Sequence, residues 1–338
     1  MTALRETDIR PADIHAEYLR LSAADAERLF ADRSVFAHRS CPGCGVDRPV
    51  RAFDKNGFEL ARCGECETLY VDPCPTAAQL APLYADSPST RYWAEVFFPT
   101  VAEPRRARIF RPRVERIIAL MERERRPLDS VVEVGAGAAV FLEELRKARP
   151  TLSIRAVEPG RALAAQCRDK GFATFEGFVE SLGDMPGWAG SADLVVCFEV
   201  IEHTPDPLAF VTALAALAKP NGTVLMSGLC GDGFDIRTLG ARSNAVSPPH
   251  HVTFLSRRGA AALLGRAGLV QAEVFTPGEL DVDIVLNALK YDRTAVADPF
   301  LRALLLGPDD AARAAFQAFL KEHGLSSHMW ATGRRPGP

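Results

Sequence analysis

A run of β-branched residues, Val131-Val132-Glu133-Val134, breaks into Gly135-Ala136-Gly137 and then into the helical pattern Phe141-Leu142-Glu143-Glu144-Leu145. A short apolar run that changes into a helical period across a Gly-x-Gly reads as a buried strand, a tight turn and a helix N-terminus. Glycines at 135 and 137 let the backbone pass close beneath a ligand, where any Cβ would collide with it. A dinucleotide fingerprint requires a third glycine three residues after Gly137, and Val140 stands there. Glu133, two residues before the first glycine, also points away from that class.

The following segments keep the α/β rhythm. A second strand, Ser153-Ile154-Arg155-Ala156-Val157, ends at Glu158, whose carboxylate is placed to accept hydrogen bonds from both hydroxyls of a ribose. Ala173–Phe175 is a short third strand, and Ala192–Cys197 a buried fourth that runs into Phe198-Glu199-Val200-Ile201-Glu202-His203. Leu217-Ala218-Lys219-Pro220-Asn221-Gly222 is a helix end and turn leading into a fifth strand. In this order the segments resemble the class I S-adenosylmethionine methyltransferases over about residues 128–275. The resemblance implies a Rossmann-like, seven-stranded α/β sheet. It also implies a cofactor site drawn from Glu133, Gly135, Gly137, Glu158, Phe198 and Glu199, with Phe178 bordering the adenine ring. Ala139 stands where the family often has a further glycine, which is tolerable if its φ stays negative.

Upstream, Cys41-Pro42-Gly43-Cys44 and Cys63-Gly64-Glu65-Cys66 are two Cys-x-x-Cys knuckles separated by 18 residues. That spacing fits a structural zinc ribbon, with all four positions taken by thiolates and none left for a catalytic water. Composition excludes other classes. A net charge of −3 and a pI near 6.2 give no electrostatic reason to expect nucleic acid. No apolar run approaches the length of a membrane helix, and the N-terminus lacks a signal-peptide pattern, so a cytoplasmic protein with reduced cysteines is expected.

The chain divides into N-terminal helices (1–38), a zinc-binding module (39–76) and bridging helices with a lid (77–127). The methyltransferase core takes 128–276 and 326–336, and a helical insertion (277–325) precedes the last strand, serving as lid or homodimer contact. Ser22-Ala23-Ala24-Asp25 reads as a cap opening a second N-terminal helix; Asp206-Pro207 and Ser256 read as starts of later helices. Tyr92 and Trp93 follow a loop and read either as aromatics packed against the core or, as the resemblance implies for this position, as part of a lid over the S-adenosylmethionine pocket that meets the substrate. Pro248-Pro249-His250-His251 falls on the acceptor side by the same resemblance, with His250 a substrate neighbour.

These features point to methyl transfer from S-adenosylmethionine to a small-molecule acceptor: a nucleotide sugar, glycan precursor or secondary metabolite, with oxygen favoured over carbon or nitrogen. His203 and His251 are the candidate general bases, because imidazole titrates near neutrality; the alternative for His203 is that Glu202-His203 caps or orients the helix that starts near Asp206-Pro207. One alternative makes the zinc module an RNA grip. That needs a basic face, whereas Asp47, Asp54, Glu59, Glu65, Glu67 and Asp72 oppose Arg48, Arg51, Lys55 and Arg62. The other is a non-catalytic protein that keeps the cofactor fold.

Overall fold

The structure, a computed structural model, describes residues 4–182 and 185–337, so positions 1–3 of the expected N-terminal helices lie outside the described residues. One unbroken helix spans Ala12–Leu29. The break expected at Ser22 is absent: Ser22 sits mid-helix, its hydroxyl buried and unpartnered. A serine caps only where the first backbone N–H groups are free, and within a helix the preceding turn has taken them. Three strands follow, β1 (Pro49–Lys55), β2 (Phe58–Cys63) and β3 (Leu69–Val71).

The core begins with β4 (Ser130–Val134), β5 (Ser153–Glu158), β6 (Ala173–Glu176), β7 (Ala192–Phe198) and β8 (Ala218–Leu229). Later come β9 (Thr253–Phe254), β10 (Val270–Phe275) and β11 (His328–Arg334). The main sheet has seven strands in the order β10-β11-β8-β7-β4-β5-β6. Strands β4 to β8 pair in parallel, and β11 lies antiparallel between β8 and β10. This is the Rossmann-like α/β sheet expected.

Every residue of β4 and β7 is buried, as a parallel sheet covered on both faces demands. Successive side chains alternate between faces. Val131, Leu194 and Val196 therefore pack with Ile117 and Leu142, while Val132, Val195 and Cys197 pack with Leu214 and Leu263. The chain winds outward in both directions from β4 and β7, so their carboxyl ends flank the crevice where such sheets take ligands.

The small sheet is not closed by the N-terminal segment alone. Its order is β1-β2-β3-β9, with Leu69 paired to Phe254 and Tyr70 to Thr253. Arg39 reinforces this seam, donating to the carbonyls of Val71 (3.1 Å), Pro205 (2.7 Å) and Val252 (2.6 Å). Asp206 and Ser256 cap the helices Pro207–Leu217 and Arg257–Arg266 as expected, accepting from Ala209 N (3.1 Å) and Gly259 N (2.8 Å).

A helical run from Pro88 to Arg123, whose end packs Val114, Ile117 and Met121 on one face of the sheet, crosses that face with two π turns, Trp93–Phe97 and Arg106–Phe110. Pro99, Pro104 and Pro112 lie in this run. Each proline lacks an N–H and crowds the carbonyl four residues back, and a π turn absorbs that mismatch. The insertion forms helices Asp281–Tyr291, Pro299–Leu306 and Asp310–Glu322, which share a cluster of Val285, Leu289, Leu305 and Leu320. No helix among the described residues is long and apolar enough to cross a membrane.

The crossing run is fastened to the helix that follows the glycine turn (Val140–Ala148) by Arg106, which pairs with Glu143 and Glu144 at 2.9 Å each. Burial alone would raise the Glu144 pKa; Lys147, Arg106 and Arg111 outweigh it and hold it at about 2. A carboxyl held below its ordinary value stabilises the fold above about pH 4.5, and that stability is lost as pH falls toward 2. Glu144→Gln should therefore cost about 1–2 kcal/mol at pH 7, allowing for the exposed partners Lys147 and Arg111. The difference from the parent chain should close in urea titrations run at progressively lower pH.

Candidate functional site

At the turn after β4, Gly135 has φ +75° and Gly137 φ +54°, both in the left-handed region. A Cβ on Gly135 would lie 2.5 Å from Val200 Cγ2, so this glycine is also required by close approach to the β7 end. A Cβ on Gly137 would meet nothing within 4 Å, because that face of the turn is open. Ala139 departs from expectation: its φ is +57°, not negative. Its conformation costs about 1–2 kcal/mol for a residue with a Cβ.

Glu158 closes the turn from the neighbouring strand. Its two oxygens accept from Gly137 N (2.7 Å) and Gly160 N (2.8 Å), leaving a lone pair on each for a ligand's hydroxyls. Burial raises its pKa, and the two N–H groups oppose that rise. Gly177 N donates to Glu158 O at 3.1 Å, which brings the following residue, Phe178, to the same edge with its ring half exposed. Glu133 is buried beneath the turn. One of its carboxylate oxygens has no partner, and burial pushes its pKa well up.

The tip of β7 is built around Glu199, a non-glycine residue at φ +55°. Its carboxylate accepts from Ser227 Oγ (2.6 Å), His328 Nε2 (2.9 Å) and Arg113 Nη2 (3.3 Å). Burial would raise its pKa; His328, Arg113 and Ser227 together hold it well below the carboxylate range. Strained backbone at a ligand edge persists only where surrounding contacts over-determine it, and these three partners do so. Phe198 packs edge-on against Phe141 (4.8 Å between centroids), and its other face carries the Arg113 guanidinium at 4.3 Å. Beside Glu199 opens a cavity of about 550 Å³, reached by Arg105, Arg113, Asp235, His328 and Trp330. That volume suits a small-molecule ligand.

His203, His250 and His251 converge just behind this cavity. His203 Nδ1 donates to His250 O (2.8 Å) and His251 Nδ1 to Ala245 O (2.6 Å), so each ring keeps its Nε2 lone pair. The two rings meet edge to face at 4.8 Å. Burial lowers the pKa of both, His251 the more strongly. Ala245 itself lines the cavity, which puts His251 one residue layer away. His250 is buried among Tyr18 and Tyr84, with Nε2 at 2.9 Å from Ser89 Oγ and burial pulling its pKa down to about 3. Trp93 stacks on Phe97 at 4.4 Å, and Tyr92 is half-buried at the end of the preceding turn. Neither lines the cavity. Trp93 instead lies beneath Arg105, which does, at 5.3 Å.

The four knuckle cysteines meet at one point, their sulfur atoms all within 4.8 Å of one another. Cys41–Cys66 and Cys44–Cys63 are separated by 3.5 and 3.6 Å. Four thiolates at about 2.3 Å from one tetrahedral ion stand about 3.8 Å apart, so the cluster is of the size that such an ion takes.

Sequence reasoning did not single out Arg105, Arg113, Ser227 or His328. The last strand itself was legible; its antiparallel direction, which brings His328 at its start to the carboxyl edge of the sheet, was not. Arg105 belongs to the charged stretch Arg105-Arg106-Ala107-Arg108, which reads as a solvated helix face, and only the fold brings it and Arg113 to the cavity. Gly135→Ala should destabilise the chain by more than Gly137→Ala, whose cost of about 1–2 kcal/mol is conformational alone. Equal losses for both in chemical denaturation would refute the close approach of Gly135 to Val200.

The methyltransferase-domain family profile matches residues 102–274. The ubiquinone biosynthesis O-methyltransferase of Methylococcus capsulatus is 36% identical over 100 residues, covering 29% of this chain and 42% of that protein. Its counterpart in Xanthomonas axonopodis pv. citri is 31% identical over 154 residues, covering 43% and 64%. The chain thus spans less than two thirds of the length of these relatives. Among solved structures, a possible histamine N-methyltransferase from Thermotoga maritima is similar with a TM-score of 0.46 at 16% identity, covering 70% of this chain and 96% of that one. An O-methyltransferase family protein from Burkholderia thailandensis is similar with a TM-score of 0.45 at 15% identity, covering 73% and 62%. Because the family profile spans half of the chain and takes in the glycine turn, Glu158 and Glu199, this protein belongs to the methyltransferase-domain family.

Proposed function

We propose that the chain transfers a methyl group from S-adenosylmethionine to a small-molecule acceptor, with oxygen as the favoured nucleophile. The observation that carries this reading is the bracket of Glu158 on Gly137 and Gly160 at the same sheet edge as the cavity beside Glu199. The residues fit the cofactor: the space before Gly137 is open, and Glu158 keeps a lone pair per oxygen for the ribose hydroxyls. Bound S-adenosylmethionine supplies an already electrophilic sulfonium methyl. The chain's work is then to align the acceptor and to remove its proton. Relatives named as O-methyltransferases favour an oxygen acceptor.

His251 or His203 serves as general base in this reading. Each has its Nδ1 proton engaged by a carbonyl and its Nε2 lone pair available, and burial keeps both neutral at physiological pH. A small molecule is favoured over RNA because cations of the cysteine module are matched locally: Arg48 pairs with Glu65 (3.4 Å) and Arg51 with Glu59 (3.7 Å). Cys41, Cys44, Cys63 and Cys66 hold a structural zinc ion in this reading.

Glu158→Ala should weaken binding of S-adenosylhomocysteine by about 10- to 100-fold in calorimetry, through two lost charge-assisted bonds; unchanged affinity would sink the cofactor assignment. Replacing the catalytic histidine by alanine should lower turnover by roughly 100- to 10,000-fold with cofactor affinity kept. A base must be neutral to act, and its pKa is lowered. The acid limb of the parent enzyme's pH profile should therefore lie below the ordinary histidine value of about 6.5. Near-normal turnover in both His203→Ala and His251→Ala would leave alignment alone as the mechanism. Elemental analysis should find about one zinc per chain, and folded, chelator-free protein without zinc would remove that part of the reading.

A further inference from the structure

We propose that the cavity beside Glu199 recognises an anionic group on the acceptor, a carboxylate or a phosphate, and that Arg105 binds it. This rests on the methyl-transfer reading, because it takes the cavity as the acceptor's seat. Five arginines reach the cavity wall, against the carboxyl groups of Glu199, Asp235, Glu279 and Asp281. Most of this charge is already spent within the protein. Arg113 pairs with Glu199, Arg10 with Glu6 (3.7 Å) and Arg108 with Asp8 (3.4 Å). Glu279 holds Lys321 at 2.8 Å, and Asp281 accepts from Gln317, Ser326 and Ser327.

What remains is positive. Arg116 lies at the exposed rim over Trp330 (5.3 Å). Arg105 has no carboxylate partner among the described residues; its polar contacts are two weak ones, Nε and Nη2 each at 3.4 Å from Ile9 O. Its guanidinium lies over the rings of Trp93 and Phe97, at 5.3 and 5.8 Å from their centroids. Burial, with Arg10 nearby, pulls its pKa down to about 9, and the more distant Glu199 carboxylate offsets only part of that fall. Asp235, the remaining carboxyl, has an unpartnered oxygen and is raised to about 7 by burial and by Asp281, so it supplies only part of a charge. A desolvated, planar guanidinium with no ion-pair partner among the described residues is suited to bidentate recognition of a carboxylate or phosphate. Ile9, Ile284 and Trp330 give the rest of the wall an apolar character, fitting an acceptor with an apolar body and one charged end.

The test titrates the protein, with and without saturating S-adenosylhomocysteine, with 4-hydroxyphenylacetate, its neutral amide and phenyl phosphate. One or both anions should bind about 10- to 100-fold more tightly than the amide, and the stronger of them separates carboxylate from phosphate. Arg105→Gln should abolish that preference and Arg105→Lys should keep part of it, both with unchanged S-adenosylhomocysteine affinity. Competition by inorganic phosphate in the parent protein gives the same answer without a variant. Absence of any anion preference in the parent protein overturns the proposal. So does a tenfold loss of S-adenosylhomocysteine affinity in Arg105→Gln, which would make the cofactor's own carboxylate the occupant. Failure of the parent protein to bind S-adenosylhomocysteine would instead sink the methyl-transfer reading, while the anion preference is still read without it.

Discussion

Glu199 draws four parts of the chain to one point. It ends β7 and is gripped by Ser227 of β8, His328 of β11 and Arg113 of the crossing helix. Its left-handed backbone is an unfavourable state for a residue with a Cβ, and the three charge-assisted or hydroxyl contacts maintain it. The same contacts fix the spacing of three adjacent strand ends and seat the helix that covers the sheet. The cavity opens beside that knot, so its shape follows from where one carboxylate is held.

A second knot joins the cysteine module to the histidine segment. Strand β9 belongs to the small sheet, yet it begins one residue after His250-His251 and precedes the helix capped by Ser256. Ser256 Oγ also donates to Cys66 O, beside the cysteine cluster. A Cβ on Gly43 would come within 2.8 Å of the Gly259 backbone, so the knuckle and this helix touch through two glycines. An ion that orders the knuckles would therefore order the strand that presents His251, without touching the chemistry.

Electrostatics divides the site into two halves of different character. On the β5 side, a carboxylate organised by backbone N–H groups faces open space, an arrangement suited to hydroxyl donors. On the β11 side, guanidinium groups outnumber the carboxyl groups free to answer them, and aromatic rings lie within cation–π distance of them. The imidazoles of His203 and His251 lie behind the second half, through Ala245, and are kept neutral by desolvation. A methyl donor and an acceptor of different polarity would each find a matching half.

The local pattern carried much of the architecture. Continuous apolar strands, the Gly-x-Gly turn, the acidic end of β5 and the paired cysteine knuckles are short-range signals, and each appears where its pattern placed it. Caps at Asp206 and Ser256 were legible for the same reason, whereas Ser22 shows that a capping pattern has no force once neighbouring turns satisfy the backbone. The sign of φ at Ala139 and Glu199 could not be read, because packing around each residue, not its own preference, decides it. Nor could the cavity: Arg105, Arg113, Glu199 and His328 come from distant stretches, and their convergence depends on sheet order and on an antiparallel last strand. Sequence by itself determined which elements form and which residue types stand at their ends; tertiary structure alone decided which charges meet a partner and which are left to face a ligand, because that balance exists only between segments far apart in the chain.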